Sequence, residues 1–162
     1  MGRLAIWPGS WQSIWGWWQP DLRLSGTITA LRPEDLQARG IRGLILDVDD
    51  TIVDRWSREI PQEIQSWLER MRRDYVIWLV SNNTSRRRIS AIAAQVNLPY
   101  IHRAGKPSRR ALRQVLATTQ LLPSQVAMIG DRLLTDVVAG NRLGLFTIWV
   151  QPVRPKPLLF RI

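Results

Sequence analysis

Three carboxylates and a threonine directly follow a short apolar run, since Asp47, Asp49, Asp50 and Thr51 come after residues 43–46. A continuous apolar run of this kind is typical of a buried parallel strand. Side chains alternate along a strand, so Asp47 and Asp49 should share one side of its carboxyl end, where open α/β sheets bind ligands. Like charges this close repel unless a cation or a proton lies between them. The pair therefore predicts a divalent metal site; an ordinary turn rich in Asp and Thr is the alternative.

Polar side chains follow the other predicted strands as well. The carboxyl ends of parallel strands share one edge of a sheet, so we expect these groups to meet there. Carboxylate oxygens near a phosphate are the hard ligands that Mg²⁺ prefers, and a lone ammonium suits a transferring phosphoryl group. A solvated surface lysine is the alternative interpretation of Lys106. The candidates at this edge are Ser81, Asn82 and Asn83 after the second strand, Lys106 near the third, and Asp131 and Asp136 after the fourth.

The net charge is +10, carried by 21 arginines and only two lysines. Such a balance favours polyanionic partners, namely nucleic acid, an anionic membrane surface or phosphorylated substrates. From residue 75 to residue 162 the only carboxylates are Asp131 and Asp136, and their retention in a half-chain otherwise without acids suggests a function. The chain has no cysteine and one histidine, His102, which excludes disulfides, thiolate nucleophiles and histidine metal clusters.

Residues 1–20 hold five of the nine tryptophans. Placed on a helix, most of them share one face, which predicts an amphipathic segment. Tryptophan favours the membrane–water interface, so we expect peripheral contact with a bilayer; docking on this domain or on a second subunit is the alternative. We see no signal-peptide pattern and no apolar stretch of about 18 residues. The expected location is cytoplasmic, peripheral on the inner face of a membrane.

Apolar strands alternate with helices along the rest of the chain, which predicts βαβ units with right-handed crossovers. The predicted fold class is α/β, with a single doubly wound, Rossmann-like parallel sheet and helices on both faces. Strands are expected at 43–47, 75–80, 99–102, 126–129 and 146–150, and helices at 33–39, 61–73, 84–97 with a cap at Thr84, from Pro107 onward, and at 133–142. The proline-rich tail, residues 151–162, is expected to be loose.

Four segments match a known set of motifs in order and spacing: residues 47–51, 79–83, 106–107 and 130–136. They resemble the motifs of the haloacid dehalogenase-like (HAD) phosphatases, over about residues 20–150. Two stretches, residues 81–83 and 130–144, look most like the YqeG-type subgroup, whose organellar relatives are phosphatidylglycerophosphate (PGP) phosphatases. One departure is Asp50, where that subgroup more often has Asn, and it should add negative charge beside the metal. The implied domains are a Trp-rich segment at 1–20, a phosphatase domain at 21–150 and a tail at 151–162.

The resemblance implies a role for each matching residue. Asp47 would be the nucleophile that becomes an aspartyl phosphate, while Asp49 protonates the leaving alcohol and later takes a proton from water. Mg²⁺ would be held by Asp47, the backbone carbonyl of Asp49 and Asp131. Asp136 would lie behind the metal and hold a bound water or Lys106. The groups implied to bind the phosphoryl group are Thr51, Ser81, Asn82 and Lys106, and Thr51 would also orient Asp49.

The spacing of the motifs leaves no room for a cap domain, because residues 51–81 and 81–106 are each used up by one helix and one strand. An open site suits a phosphate carried on something large. The leading hypothesis is an Mg²⁺-dependent phosphomonoesterase acting on PGP at a membrane surface. The tryptophans and the arginine run 86–88 favour an anionic lipid partner over nucleic acid, although that run is equally typical of a solvated helix face. The alternatives are a soluble sugar or nucleotide phosphatase, a nucleic-acid end phosphatase and a non-catalytic binding module.

Overall fold

The computed structural model describes residues 16–162, and its centre is one sheet of six parallel strands in the order β1-β6-β5-β2-β3-β4. The central strand β2 pairs with β3 on one side and with β5 on the other. Since all the strands run in the same direction, their carboxyl ends form one edge of the sheet. The strands are β1 (Leu22–Arg23), β2 (Gly43–Leu46), β3 (Val76–Val80), β4 (Tyr100–Ile101), β5 (Val126–Gly130) and β6 (Phe146–Trp149).

Helices cover both faces of the sheet. The side chains of β2 alternate, so that Leu44 and Leu46 pack in one apolar cluster with α2 and α3, whereas Ile45 packs in a second cluster with α4 and α5. This arrangement confirms the predicted doubly wound α/β fold. The helices are α1 (Pro33–Gln37), α2 (Gln62–Met71), α3 (Arg86–Val96), α4 (Arg110–Thr119) and α5 (Val138–Leu143), with a π-helix at Leu133–Val137 and 3₁₀ turns at Ile28–Ala30, Pro123–Gln125 and Leu158–Arg161.

The segments that could carry a cap are short. Between the first and second motifs the chain forms only α2 and β3, and between the second and third only α3 and β4. No cap domain is evident in the described part of the chain, residues 16–162. The carboxyl edge of the sheet is therefore left open above β2.

Two predicted helix starts were wrong. Ser85 rather than Thr84 caps α3, because its hydroxyl accepts a hydrogen bond from the backbone N–H of Arg88 at 3.2 Å. The fourth helix begins at Arg110 rather than at Pro107. The residues in between form a turn, in which the N–H of Ser108 donates to the carbonyl of Gly105 at 2.9 Å.

The prediction of a loose tail was also wrong. The N–H of Val153 donates to the carbonyl of Asp50 at 2.8 Å, which fixes the tail against the loop after β2. Farther along, the guanidinium of Arg161 lies 4.1 Å from the ring centre of Trp149 and donates to the carbonyl of Val150 at 3.0 Å. These contacts are made by isolated residues that form no periodic pattern of apolar side chains, so the sequence pattern did not reveal them.

The N-terminal segment is described only from Gly16 onward, so the predicted tryptophan face lies mostly outside the described residues. Trp17 and Trp18 are 45% and 39% exposed, and Arg142 lies over the ring of Trp17 at 5.8 Å. The strand β1, which was not predicted, then extends the sheet beyond β6. Within residues 16–162, no helix combines the length and apolar character needed to cross a bilayer.

Candidate active site

Lys106 lies at the centre of the carboxyl edge, and only 4% of the residue is exposed. Its Nζ donates to Oδ1 of Asp47, to Oδ1 of Asp136 and to the carbonyl of Val80, each at 2.7 Å. Burial by itself lowers the pKa of this ammonium, but the carboxylates of Asp136 and Asp47 outweigh burial and raise the pKa above its usual value. Lys106 is therefore a permanently charged group at this edge.

Carboxylate oxygens of Asp47, Asp131 and Asp136 lie within 4.8 Å of one another. The hydroxyl of Thr51 donates to Oδ2 of Asp47 at 3.3 Å and lies 3.5 Å from Oδ1 of Asp131. Thr51 thus orients those two carboxylates, and the expectation that it orients Asp49 was wrong. Oδ2 of Asp131 is buried and has no hydrogen-bond partner among residues 16–162. An orphaned carboxylate oxygen beside a second carboxylate fits a hard divalent cation.

The third carboxylate, Asp136, is already engaged. Its Oδ1 pairs with Lys106, and its Oδ2 accepts a hydrogen bond from the backbone N–H of Arg132 at 3.2 Å. A Cβ atom on Gly130 would lie only 2.2 Å from Oδ2 of Asp136, so the end of β5 must be glycine for Asp136 to reach this position. Of the two roles implied for Asp136, the contacts favour holding Lys106.

The two carboxylates that could bind a cation are harder to ionise than usual. Burial raises the pKa of Asp47 to about 8 and the pKa of Asp131 to about 6, and the charge of Asp136 adds to both shifts. The ammonium of Lys106 offsets only part of the shift at Asp47. A bound divalent cation would favour the ionised form of both groups, because ligand carboxylates must be deprotonated.

Asp50 lies next to this cluster but has partners of its own. Its φ of 67° is in the left-handed region, which Asn and Asp tolerate better than other non-glycine residues. Its Oδ2 accepts from Nε of Arg55 at 2.9 Å and contacts the ammonium of Lys156. Burial alone would raise the pKa of Asp50, but Lys156 and Arg55 lower it below its usual value. The negative charge expected from Asp50 is therefore balanced by two cations.

The three residues after β3 make separate contacts. The side chain of Asn82 forms two hydrogen bonds with the backbone of Lys106. Oδ1 of Asn82 accepts from the Lys106 N–H at 2.7 Å, and Nδ2 of Asn82 donates to the Lys106 carbonyl at 2.9 Å. Asn83 donates from Nδ2 to Oδ2 of Asp49 at 3.0 Å. The Oγ of Ser81 accepts from the N–H of Asn83 at 3.0 Å, which leaves its hydroxyl proton free to donate. Among the amides, Asn82 thus fixes Lys106 while Asn83 contacts the second aspartate.

Asp49 also has a partner that the sequence reasoning missed. Its Oδ1 accepts a hydrogen bond from Nη2 of Arg88 at 2.7 Å, and only 11% of the Arg88 side chain is exposed. Arg88 belongs to the arginine run that was interpreted as a solvated or membrane-facing surface. The one available signal was its place directly before Ile89, which is fully buried on α3.

Most of these groups line one cavity of about 120 Å³, which opens to solvent. A cavity of this size suits a phosphoryl group and a few neighbouring atoms. Thr51 and Asp131 do not line it directly, whereas Arg55, Arg132 and Thr135, which were not predicted, do. The lining residues are Asp47, Asp49, Arg55, Ser81, Asn82, Asn83, Lys106, Arg132, Thr135 and Asp136.

The sequence of this domain matches a family model described as mitochondrial PGP phosphatase, over residues 19–153. The matched range includes all four motifs and every residue that lines the cavity. The chain belongs to the mitochondrial PGP phosphatase family. This assignment agrees with the HAD phosphatase resemblance expected from the motifs.

Curated relatives support the family assignment. The Bacillus subtilis (strain 168) protein named Probable phosphatase YqeG is 35% identical over 125 residues, which cover 76% of this chain and 72% of that protein. Phosphatidylglycerophosphate phosphatase 1, chloroplastic, of Chlamydomonas reinhardtii is 28% identical over 127 residues, covering 73% of this chain and 47% of the algal protein. The chain thus spans about half the length of the algal relative.

A solved structure with the same fold is that of a HAD family enzyme from Bacteroides thetaiotaomicron in a magnesium complex. It aligns with a TM-score of 0.52 at 13% identity, covering 76% of this chain and 100% of that chain. At this identity the likeness shows the fold alone. The family match makes the chain a phosphatase related to the PGP phosphatases, and hence a phosphoric monoester hydrolase, on a fold shared with HAD enzymes.

Proposed function

We propose that this PGP phosphatase family member is an Mg²⁺-dependent phosphomonoesterase that works through an aspartyl phosphate on Asp47 and converts PGP to phosphatidylglycerol at a membrane surface. The observation that carries the proposal is the meeting of Asp47, Asp131 and Lys106 at one sheet edge. Lys106 lies 2.7 Å from Asp47, and the carboxylate oxygens come within 4.8 Å. A nucleophile, a cation site and a fixed positive charge are the groups that phosphoryl transfer requires.

The reaction follows from two carboxylates with different roles. A carboxylate oxygen of Asp47 attacks phosphorus while the bond to the leaving oxygen breaks, and Asp49 gives its proton to that oxygen. Asp49 then takes a proton from a water that attacks the aspartyl phosphate, which releases phosphate and restores Asp47. Lys106 supplies positive charge beside the phosphoryl group, and the hydroxyl of Ser81 donates a hydrogen bond to one of the phosphoryl oxygens.

The metal proposal rests on the donor set. Asp47 and Asp131 would hold Mg²⁺ together with the backbone carbonyl of Asp49. Two observations support a hard cation there: Oδ2 of Asp131 lacks a partner among residues 16–162, and both carboxyl groups have raised pKa values. When bound, the ion would neutralise charge on the phosphoryl oxygens.

The substrate proposal rests on the volume of the cavity, the net charge of the protein and the names of its relatives. The cavity accommodates little beyond a phosphoryl group, so the rest of the substrate must lie outside it. A net charge of +10 favours an anionic surface around that substrate. The Chlamydomonas relative is named for its action on PGP, and the family model carries the same substrate in its description. We propose that residues 1–20 add a peripheral membrane contact.

A substrate panel tests this function. Phosphate release is measured from PGP in anionic vesicles, from glycerol 3-phosphate, from a nucleoside monophosphate and from a 5′-phosphorylated oligonucleotide, with Mg²⁺ or with EDTA. We expect PGP to have the highest kcat/KM, activity to require the metal, and Asp47→Asn to abolish turnover of every substrate.

The vesicle experiment has its own control. A version without residues 1–20 should keep its activity on a soluble aryl phosphate but lose activity on vesicle-bound PGP. Faster turnover of a soluble monophosphate or of the oligonucleotide than of PGP would overturn the substrate proposal. Metal-independent turnover would overturn the cation proposal.

A further inference from the structure

Arg88 reaches from the first turn of α3 into the loop that follows β2. Its Nη2 donates to Oδ1 of Asp49 at 2.7 Å and to the carbonyl of Asp54 at 3.3 Å, and its Nη1 donates to the carbonyl of Ser57. The guanidinium is planar, so these contacts fix the plane of the fork and the position of Asp49 together. One side chain thus joins α3, the loop at 54–57 and the second aspartate of the site.

The two oxygens of Asp49 are held by different donors. Oδ1 is bound by the charged guanidinium of Arg88 at 2.7 Å, and Oδ2 is bound by the neutral amide of Asn83 at 3.0 Å. Both bonds end on a carboxylate, but only the guanidinium adds attraction between full opposite charges to its hydrogen bond. Oδ2 is therefore the oxygen that can exchange its partner for a substrate or a water, while Oδ1 stays anchored.

We propose that Arg88 is a positioning residue for Asp49, which keeps Oδ2 directed at the leaving-group oxygen in the cavity. The inference rests on the proposed function, in which the proton on Asp49 passes to the leaving oxygen as its bond to phosphorus breaks and the bond from Asp47 to phosphorus forms. Arg88 does not contact the reacting atoms and gives up no proton itself. Its effect is confined to the two steps in which Asp49 gives or takes a proton.

The neighbouring arginines differ from Arg88. Arg86 and Arg87 are exposed on the same helix turn, whereas the Arg88 side chain is 11% exposed. Burial of a charged side chain is costly unless its charge is paired, and here the pairing partner is Asp49. A purely structural tie between α3 and the loop would need only the carbonyl groups of Asp54 and Ser57.

The dependence on leaving group separates a positioning role from a structural one. The values of kcat/KM are measured for an alkyl phosphate and for 2,4-dinitrophenyl phosphate, whose leaving group departs without protonation. General acid catalysis typically contributes about 10²–10⁴-fold. For Arg88→Met we expect a loss of about 10–100-fold with the alkyl phosphate and less than about 3-fold with the dinitrophenyl ester. The matched control, Arg87→Met, should leave both values unchanged.

Two further variants keep the test decisive. Arg88→Lys retains the charge without the fork and should lose less than Arg88→Met with the alkyl phosphate, which guards against a folding defect in the methionine variant. The double variant with Asp49→Asn and Arg88→Met should have the same kcat/KM for the alkyl phosphate as Asp49→Asn alone, because the losses of two residues that act as a unit do not add.

The outcomes distinguish this inference from the proposed function. Equal losses for both leaving groups, or additive losses in the double variant, would overturn the positioning role of Arg88 while leaving the phosphatase function intact. A wild-type protein that releases phosphate from neither ester would instead overturn the proposed function, and the positioning role with it.

Discussion

At the scale of single residues, the site is a balance between buried charges of opposite sign. Lys106 lies 2.7 Å from both Asp47 and Asp136, while Asp131 adds a third carboxyl group within 4.8 Å of those two. One ammonium cannot neutralise three buried carboxylates, and burying an unpaired charge is costly. The remaining negative charge has to be met by protons or by a cation.

The stability of the metal-free protein should therefore depend on pH. The pKa values of Asp47 and Asp131 are raised to about 8 and about 6 by burial, whereas an unfolded Asp titrates near about 3.9. The folded protein thus binds more protons than the unfolded chain, and the stabilisation is lost as pH rises through the folded pKa values. In EDTA we expect the free energy of unfolding to fall by on the order of a few kcal/mol between pH 5 and pH 8.

Urea denaturation at several pH values measures this slope. Asp47→Asn should reduce the dependence of the free energy of unfolding on pH and should be more stable than the wild type at pH 8 in EDTA. Asp74→Asn, at an exposed position, should leave that dependence unchanged. Mg²⁺ should stabilise the protein more at pH 8 than at pH 5. A free energy of unfolding that rises with pH in EDTA would contradict the argument.

At the scale of elements, the C-terminal segment supports the site from behind. Arg161 covers the ring of Trp149 at 4.1 Å, and the indole Nε1 of Trp149 donates to the backbone carbonyl of Asp131 at 2.8 Å. Lys156 from the same segment contacts Asp50. The C-terminal segment is thus connected to the loops that follow β2 and β5, and both of those loops carry carboxylates of the site.

Arg161 should accordingly contribute to stability. Arg161→Met removes a buried cation–π contact and a hydrogen bond to Val150, and we expect a loss of about 1–3 kcal/mol. The matched control is Arg154→Met, because the Arg154 side chain is 69% exposed and pairs with Asp54 at 3.5 Å. That exposed pair should be worth less than about 1 kcal/mol. Denaturant midpoints that shift equally in the two variants would show that the segment is not anchored through Arg161.

The sequence predicted the elements whose signals are local. Apolar runs at 43–46 and 126–129 marked the strands, and the polar residues that follow them marked the edge where Asp47 and Asp131 meet. The sequence did not reveal Arg88, Arg161 or the two-residue strand β1. Each of these depends on a contact between residues distant in the chain, and none of them produces a periodic pattern.

At the scale of the whole molecule, parallel strand order is what brings the motifs together. β2 lies between β3 and β5, so residues far apart in sequence follow neighbouring strands and end at one edge. No cap domain is evident over that edge within residues 16–162, and the cavity stays open to solvent. An open, basic molecule with a small phosphoryl-sized cavity is suited to a phosphate presented from a surface, which is the substrate geometry that we propose.

The most direct measurement of the central claim is the fate of the phosphoryl group on the enzyme. Protein mixed with Mg²⁺ and a substrate labelled at its terminal phosphate is quenched in acid, digested and mapped. We predict acid-stable label on the peptide that contains Asp47 and none in Asp47→Asn. With 2,4-dinitrophenyl phosphate, whose leaving group departs without protonation, more label should accumulate in Asp49→Asn because that variant lacks the base that activates water. Phosphate release without label on that peptide, or undiminished turnover by Asp47→Asn, would contradict the account.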